Sequence, residues 1–230
     1  ARIHGFDLND VSIQHAQRMS KRLGLESQCE FRVGNVFAPP FEDIYDFVLC
    51  LGVLPHTGDP EFGFGKLVQR IKPGGYFYVS LINTYGFALR ALKRAIVNIL
   101  GRGDPDQKAR WAKVLWRRHI RRAAKFGLRT EEQIAFDNFV APHITTTVGD
   151  WFRWLRDNNL EYMSSYPSFF SLRMPSHKSG GIELLKVQQG MPVSNTHKAV
   201  LIALVQLRWA FALRVGGMAS ISFVSKKRSS

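Results

Sequence analysis

"IHGFDLND", residues 3–10, decides how the rest of the chain reads. A short apolar strand, Ile3–Phe6, runs into an acidic residue, Asp7. A helix cap follows at once, because the short side-chain oxygen of Asn9 or Asp10 can accept a free backbone amide. Ile13, Ala16, Met19 and Leu23 then recur at helical spacing, and Gly24 is placed as the stop. The following elements repeat this strand–helix unit. Glu30–Val33 is a second strand, followed by the proline-marked loop "GNVFAPPF" at 34–41. "YDFVLCLG", 45–52, is a continuous apolar third strand, the pattern of a strand covered on both faces. Asp59 and Pro60 open another helix, "KPGG" at 72–75 reads as a turn, and Tyr76–Ile82 returns as a strand. The alternation predicts an α/β fold with a parallel sheet wrapped by helices.

After Asn83 the alternation stops. Tyr85–Leu100 and Gln107–Phe126 read as helices split by "GRGDPD", and Thr130–Phe139 as a third. Val148–Asn158 is an amphipathic helix with Trp151, Trp154 and Leu155 on one side, and Leu160–Ser165 is a strand. A loop rich in Pro, Ser and Gly leads to an apolar helix from about His197 to Arg214 and a final alternating strand in "GGMASISFVSKKR", 216–228. Residues 1–83 and 148–230 are therefore expected to form a core, and 84–147 a basic helical insertion or cap. The apolar helix is shorter than the roughly 20 residues of a membrane span and is interrupted by Gln206 and Arg208. It reads as a core or dimer helix, with membrane contact as the alternative.

Of the 230 residues, 45% are apolar and 12% aromatic, which excludes a disordered chain. Two cysteines, Cys29 and Cys50, are too few for a secreted disulfide scaffold, and Cys50 in its apolar run reads as a buried free thiol. With no cationic leader at its start, the chain is expected in the cytoplasm, peripheral to a membrane if its basic helices dock there. The net charge is +14, but its distribution carries the information. Thr84–Phe126 holds twelve Lys or Arg against Asp104 and Asp106. Basicity thus belongs to the insertion. On a single helical wheel, Arg110, Lys113, Arg117, Arg121 and Lys125 gather on one side, opposite Ala112, Trp116, Ile120 and Ala123. Such a face suits an anionic membrane surface, a phosphorylated or lipid-linked substrate, or nucleic acid, as well as plain solvent. Nucleic acid ranks last, because no recognised binding module accompanies the charge.

Open parallel sheets bind ligands outside the carboxyl ends of their strands. Laying the first three strands side by side gathers Asp7, Asn35 and Leu51–Gly52 at one edge. A carboxylate there can accept from both hydroxyls of a ribose. Asn35 can accept from an adenine amino group while the Val36 amide addresses the ring, and Gly52 lets a ligand approach the backbone. Taken singly, Asp7 also suits a turn or cap, Asn35 a loop, Gly52 a strand end and His56 an exposed surface. Their joint order is the stronger signal.

"IHGFDLNDVSIQHAQRMSKRLGL", "EFRVGNVFAPPFEDIYDFVLCLGVLPHTGDP" and "LVQRIKPGGYFYVSL" together resemble the class I, Rossmann-like S-adenosylmethionine-dependent methyltransferases over about Ala1–Asn83. The tail, through "FDNFVAPHITTTVGDWFRWLRDNNLEYMSSYPS", more loosely resembles a subgroup whose last two strands, one antiparallel, are separated by helical insertions. The resemblance implies that Asp7, with Leu8 after it, holds the adenosine ribose and that Asn35 and Val36 meet the adenine. It also implies that Leu51, Gly52 and His56 border the methionine end of S-adenosylmethionine. The family usually carries Asp where Asn35 stands. It also has a strand and glycine-rich loop ahead of the segment matching "HGFDL", and the sequence lacks them. The fold is thus expected to be incomplete at its amino-terminal side, with weak cofactor binding or none by this chain alone.

The implied reaction moves a methyl group from a sulfonium to a nucleophile on a small-molecule, saccharide or lipid-linked acceptor, for which the protein supplies alignment and exclusion of water. A hydroxyl acceptor needs a proton acceptor nearby, and His143 is the candidate, with Asp137 the weaker one and a structural histidine the competing role. Two other classes stay open. One is a non-catalytic module of the same fold that docks a membrane or partner through its basic helices. The other is an NAD-binding α/β enzyme, since an acidic strand end also suits that cofactor.

Overall fold

The computed structural model describes residues 1–126, 129–167, 195–210 and 220–229. Along these the chain runs β1 (Ile3–Asp7), α1 (Asp10–Arg22), β2 (Cys29–Val33), β3 (Tyr45–Cys50), a 3-10 turn (Leu54–His56), α2 (Pro60–Val68) and β4 (Ile71–Ile82). It continues α3 (Thr84–Leu100), α4 (Pro105–Leu115), α5 (Arg117–Phe126), α6 (Glu131–Phe139), α7 (Val148–Asp157), β5 (Leu160–Tyr166), α8 (Asn195–Ala210) and β6 (Ser220–Lys227). Side-chain caps fix many of the helix starts. Asn9 accepts from the Val11 amide and Asp59 from that of Phe62, while Thr130 and Thr147 close reciprocal boxes with Gln133 and Asp150.

The fold is α/β with a mixed sheet. β3, β4, β6 and β5 form one four-stranded sheet in that order, in which β3 and β4 are parallel and β6 is antiparallel to both its neighbours. The expected final antiparallel strand is therefore present. β1 and β2 pair in parallel as a separate two-stranded unit, with Asp7 opposite Val33.

Four expectations are corrected. The first three strands do not form one ladder: among the described residues β1 pairs with β2 alone and β3 with β4 alone, which leaves each one edge without a described partner. Side chains join the two units instead. His4 Nδ1 lies 2.8 Å from the Tyr45 hydroxyl, its ring stacks on Phe41, and Phe6 packs against the core that contains Val48 and Cys50. Nor is β3 covered on both faces. Val48 and Cys50 are buried, but Phe47 and Leu49 are 54% and 56% exposed, so the apolar run has one core face and one open face. "KPGG" lies inside β4 as a bulge, since the register jumps from Tyr45↔Ile71 to Phe47↔Tyr76. Gly74 takes φ +79° there, a conformation that disfavours side chains. Finally, Gln107–Phe126 is two helices, broken at Trp116. The break lets Ala112 and Ile120 both bury against Ile134, Ala135 and Phe139 of α6.

The main core joins Phe64 of α2, Phe77 and Val79 of β4, Trp151 and Trp154 of α7, and Phe223 of β6. Burial pushes the Cys50 thiol up to about 11, consistent with an inert packing residue. α8 contributes Val205 and Trp209 to this core, while Val200, Leu204 and Leu207 remain exposed. Among the described residues no helix is long and apolar enough to cross a membrane. The Pro, Ser and Gly-rich loop from 168 onward, the expected end of the apolar helix at 211–214 and the beginning of the last strand at 216–219 lie outside the described residues.

At the end of β4, fully buried Asn83 ties the sheet to the helices. Its Oδ1 accepts from the Tyr85 and Gly86 amides and so caps α3. Its Nδ2 donates to Gln206 Oε1 of α8 at 3.2 Å, and the same oxygen accepts the Val148 amide of α7 at 3.1 Å. Gln206, which interrupts the apolar run, is therefore a buried acceptor for two donors. Replacing Asn83 with Ala should lower stability by about 2–4 kcal/mol, combining a lost cap with buried groups left unpaired. Gln206→Leu should cost about 1–3 kcal/mol by orphaning two donors. Urea unfolding of both variants checks the pair.

Candidate active site

Asp7 ends β1 in the open. Its Oδ1 accepts the Asn9 amide at 2.8 Å, and no described residue pairs with its other oxygen. The Asp7 carbonyl accepts the Gly34 amide at 3.0 Å, which fastens the tips of β1 and β2 together. Asn35 follows directly and is exposed. Its Oδ1 accepts the Phe37 amide at 2.9 Å, so one lone pair is already occupied by a local turn. Leu8 is exposed, whereas the Val36 side chain is buried.

The β3 tip belongs to the other sheet, yet apolar packing brings it close. Val36, Phe37 and Leu54 converge on Gly63 of α2, where an added Cβ would stand 3.5, 3.3 and 2.8 Å from them. Leu54 lies just past Leu51 and Gly52, which are both exposed, and Gly52 has φ +67°. Asp7 and Asn35 are thus joined by backbone, whereas the segment that carries Gly52 is linked to the Asn35 loop through the packing of Leu54, Val36 and Phe37 around Gly63.

His56 closes the 3-10 turn after this tip. Its Nδ1 lies 3.1 Å from the Pro142 carbonyl, and its ring stands 4.7 Å from that of His143. The helical insertion is therefore anchored beside the strand tip, with the His143 ring against that of His56. Its chemistry is less favourable to the base role. His143 Nδ1 lies 2.8 Å from the Ala141 carbonyl and 3.2 Å from Arg94 Nη1. Burial first, then the Arg94 charge and His56, push its pKa down to about 4. The imidazole is neutral near pH 7 but holds an added proton poorly. Asp137 is ion-paired to Arg129 at 2.7 Å.

Two residues escaped the sequence reading, Arg90 and Arg94. Both lie on the side of α3 that carries buried Phe87 and Val97. Arg94 satisfies the carbonyls of Asn138, Val140 and Ala141 at the end of α6. The 3- and 4-residue spacing of 87, 90, 94 and 97 was the available signal, and it was masked by counting the segment's charges together. Among the described residues no cluster of His, Cys, Asp or Glu could hold a metal ion.

Comparison with known proteins points the same way. A family model described as a methyltransferase domain matches residues 1–122. A ubiquinone biosynthesis O-methyltransferase of Pseudomonas savastanoi pv. phaseolicola is 30% identical over 112 residues, 47% of this chain and 48% of that protein. The enzyme of the same name from Saccharophagus degradans is 29% identical over 108 residues, 45% of each. The chain thus spans about half the length of the curated relatives it matches. Among solved structures, PKMT2 from Rickettsia typhi superposes with a TM-score of 0.61 at 12% identity, covering 99% of this chain and 46% of that one. The YcgJ protein of Bacillus subtilis gives 0.51 at 13% identity, covering 100% and 83%. These two likenesses concern the fold alone.

The His143 environment has a measurable acid signature. A depressed folded pKa favours the neutral form, so the contribution is complete above the ordinary value near 6.5 and is lost as pH falls through about 4. His143→Gln should therefore flatten the loss of stability between pH 6.5 and 4. The expected difference is ~1–2 kcal/mol after allowing for partial solvent screening. Urea unfolding of both proteins at pH 7 and pH 4 measures it.

Proposed function

The chain belongs to the methyltransferase-domain family, and from that membership we propose that it carries the adenosyl-binding edge and acceptor cap of an S-adenosylmethionine-dependent methyltransferase. The observation that carries the reading is the fastening of the exposed Asp7 and Asn35 tips through the Asp7 carbonyl and Gly34 amide, with Val36 and Phe37 meeting Leu54, just past Gly52, at Gly63. The free oxygen of Asp7 suits a ribose hydroxyl, and the second lone pair of Asn35 Oδ1 suits an adenine amino group.

The acceptor in this reading is a small molecule methylated on oxygen, in keeping with the O-methyltransferase relatives. A saccharide- or lipid-linked acceptor is the variant that the basic helices favour. S-adenosylmethionine supplies an activated methyl group when bound. This chain's residues then orient the acceptor and keep water out. Neutral His143 can accept a hydrogen bond from an acceptor hydroxyl and align its oxygen, whereas its depressed pKa sends the proton onward to solvent.

Among the described residues the facing edges of β1 and β3 are unpaired and are bridged by side chains such as His4 and Tyr45, which supports one further element in this reading: a strand and glycine-rich loop lying between them. A second reading, a non-catalytic module, draws on the groove of Arg118, Arg121, Arg122 and Lys125, which faces a single carboxylate, Glu131. In that reading the groove docks an anionic membrane surface.

S-adenosylhomocysteine titrated calorimetrically into residues 1–230 should bind weakly. With a strand and glycine-rich loop supplied ahead of Ala1, it should bind at least tenfold more tightly, and Asp7→Ala should then remove tenfold or more. Micromolar binding by residues 1–230 alone would overturn the missing cradle. An Asp7→Ala protein with undiminished affinity would overturn the site.

A further inference from the structure

Arg90 is an arginine without an acid. It sits on the inward side of α3, mostly buried, with its guanidinium carbon 5.5 Å from the centroid of the Phe87 ring. No described residue accepts a hydrogen bond from it or pairs with its charge. Its charged surroundings are cationic: burial first and Arg94 second lower its pKa, and Arg90 adds a smaller lowering to the burial-depressed values of Lys93, His119 and His143. Lys93 stands 4.8 Å over the Trp116 ring, and the Trp116 indole N–H is buried with no acceptor. α3 and the start of α5 thus bring several donors together with no acceptor to meet them.

The nearby carboxylates are committed elsewhere. On α6, Glu132 pairs with Lys113 at 3.0 Å, Glu131 with Arg121 at 3.6 Å and Asp137 with Arg129 at 2.7 Å. Asp104 caps α4. Arg94 is satisfied by the carbonyls that end α6, so Arg90 is the guanidinium left over. A desolvated cation among other cations is unfavourable unless an anion completes the site.

We propose that Arg90, with Lys93, His119 and the Trp116 indole N–H, forms a binding site for a carboxylate or phosphate group carried by the methyl acceptor. The assignment to the acceptor rests on the methyltransferase reading above and on position. Arg90 stands over the Phe87 ring, which neighbours that of His143, and the His143 ring lies 4.7 Å from His56 at the β3 tip. An aromatic acid held there would place its ring among Phe87, His143 and His56, since Phe87 and His143 are themselves 5.5 Å apart. Guanidinium and oxyanion match through paired N–H donors, which a lysine cannot reproduce.

The test needs no cofactor. Phenyl phosphate, benzoate, inorganic phosphate and neutral benzyl alcohol are titrated separately into the protein while the Trp116 indole N–H and His119 ring resonances are followed by NMR. Phenyl phosphate and benzoate should shift them saturably, inorganic phosphate should bind more weakly, and benzyl alcohol should leave them in place. Arg90→Gln should weaken binding at least tenfold, and Arg90→Lys, which keeps the charge and guards against misfolding of the first variant, should weaken it less. Shifts that stay linear, or that are equal in Arg90→Gln, would overturn the site. Inorganic phosphate binding as tightly as phenyl phosphate would overturn the assignment to the acceptor. Asp7→Ala separates the two readings, because in the protein with the added strand and loop it should weaken S-adenosylhomocysteine binding tenfold or more and leave the anion titration unchanged.

Discussion

The structure depends on a buried amide pair, Asn83 with Gln206. A sheet end that runs straight into a helix must satisfy the amides of the helix's first turn, and here Asn83 does so for α3. The same side chain reaches α8 through Gln206, and Gln206 reaches the start of α7. Thr146 adds backbone bonds to Ile82 and Thr84 on either side. Three helices from distant parts of the sequence therefore meet at one strand end. Because these bonds link the strand end to three helices, the insertion has a fixed attitude over the sheet rather than hanging from it by a loop.

That fixed attitude gives the insertion its chemical character. α3 turns Phe87 and Val97 inward along with Arg90 and Arg94, so part of its charge enters the molecule instead of facing water. α5 keeps most of its cations outside, around Glu131. The +10 balance of the segment is thus two populations. One is a solvated surface that interacts weakly with whatever is anionic. The other is a small desolvated group whose energetics are governed by partner geometry.

Local features were legible in the sequence. Asn9 and Asp59 announce helix starts because capping depends on a few adjacent residues. The acidic strand end at Asp7 and its closeness to Asn35 could also be read, since parallel pairing of β1 and β2 follows from their alternation with α1. Long-range features could not. Whether Phe47 and Leu49 are covered depends on what lies over them, and an apolar run is the same string in either case. Two glycines after a proline signal a turn, but only the partner strand decides whether the turn ends a strand or bulges within one. Gln206 and Arg208 looked alike as interruptions of an apolar helix, although Gln206 is a buried acceptor.

The bulge at Gly74 and Gly75 also sets an indexing rule for everything downstream. From Tyr76 to Val79, residues of β4 alternate between outside and core, and β6 takes its phase from that strand. A side chain on Gly75 would meet the Asp46 and Lys72 carbonyls at 3.0 Å, so the kink has little room to be rebuilt with other residues. Losing one residue here would swap Phe77 and Val79 for Tyr76 and Tyr78 on the inner face unless the kink re-formed elsewhere. Inherited changes in length at this point should therefore survive in twos.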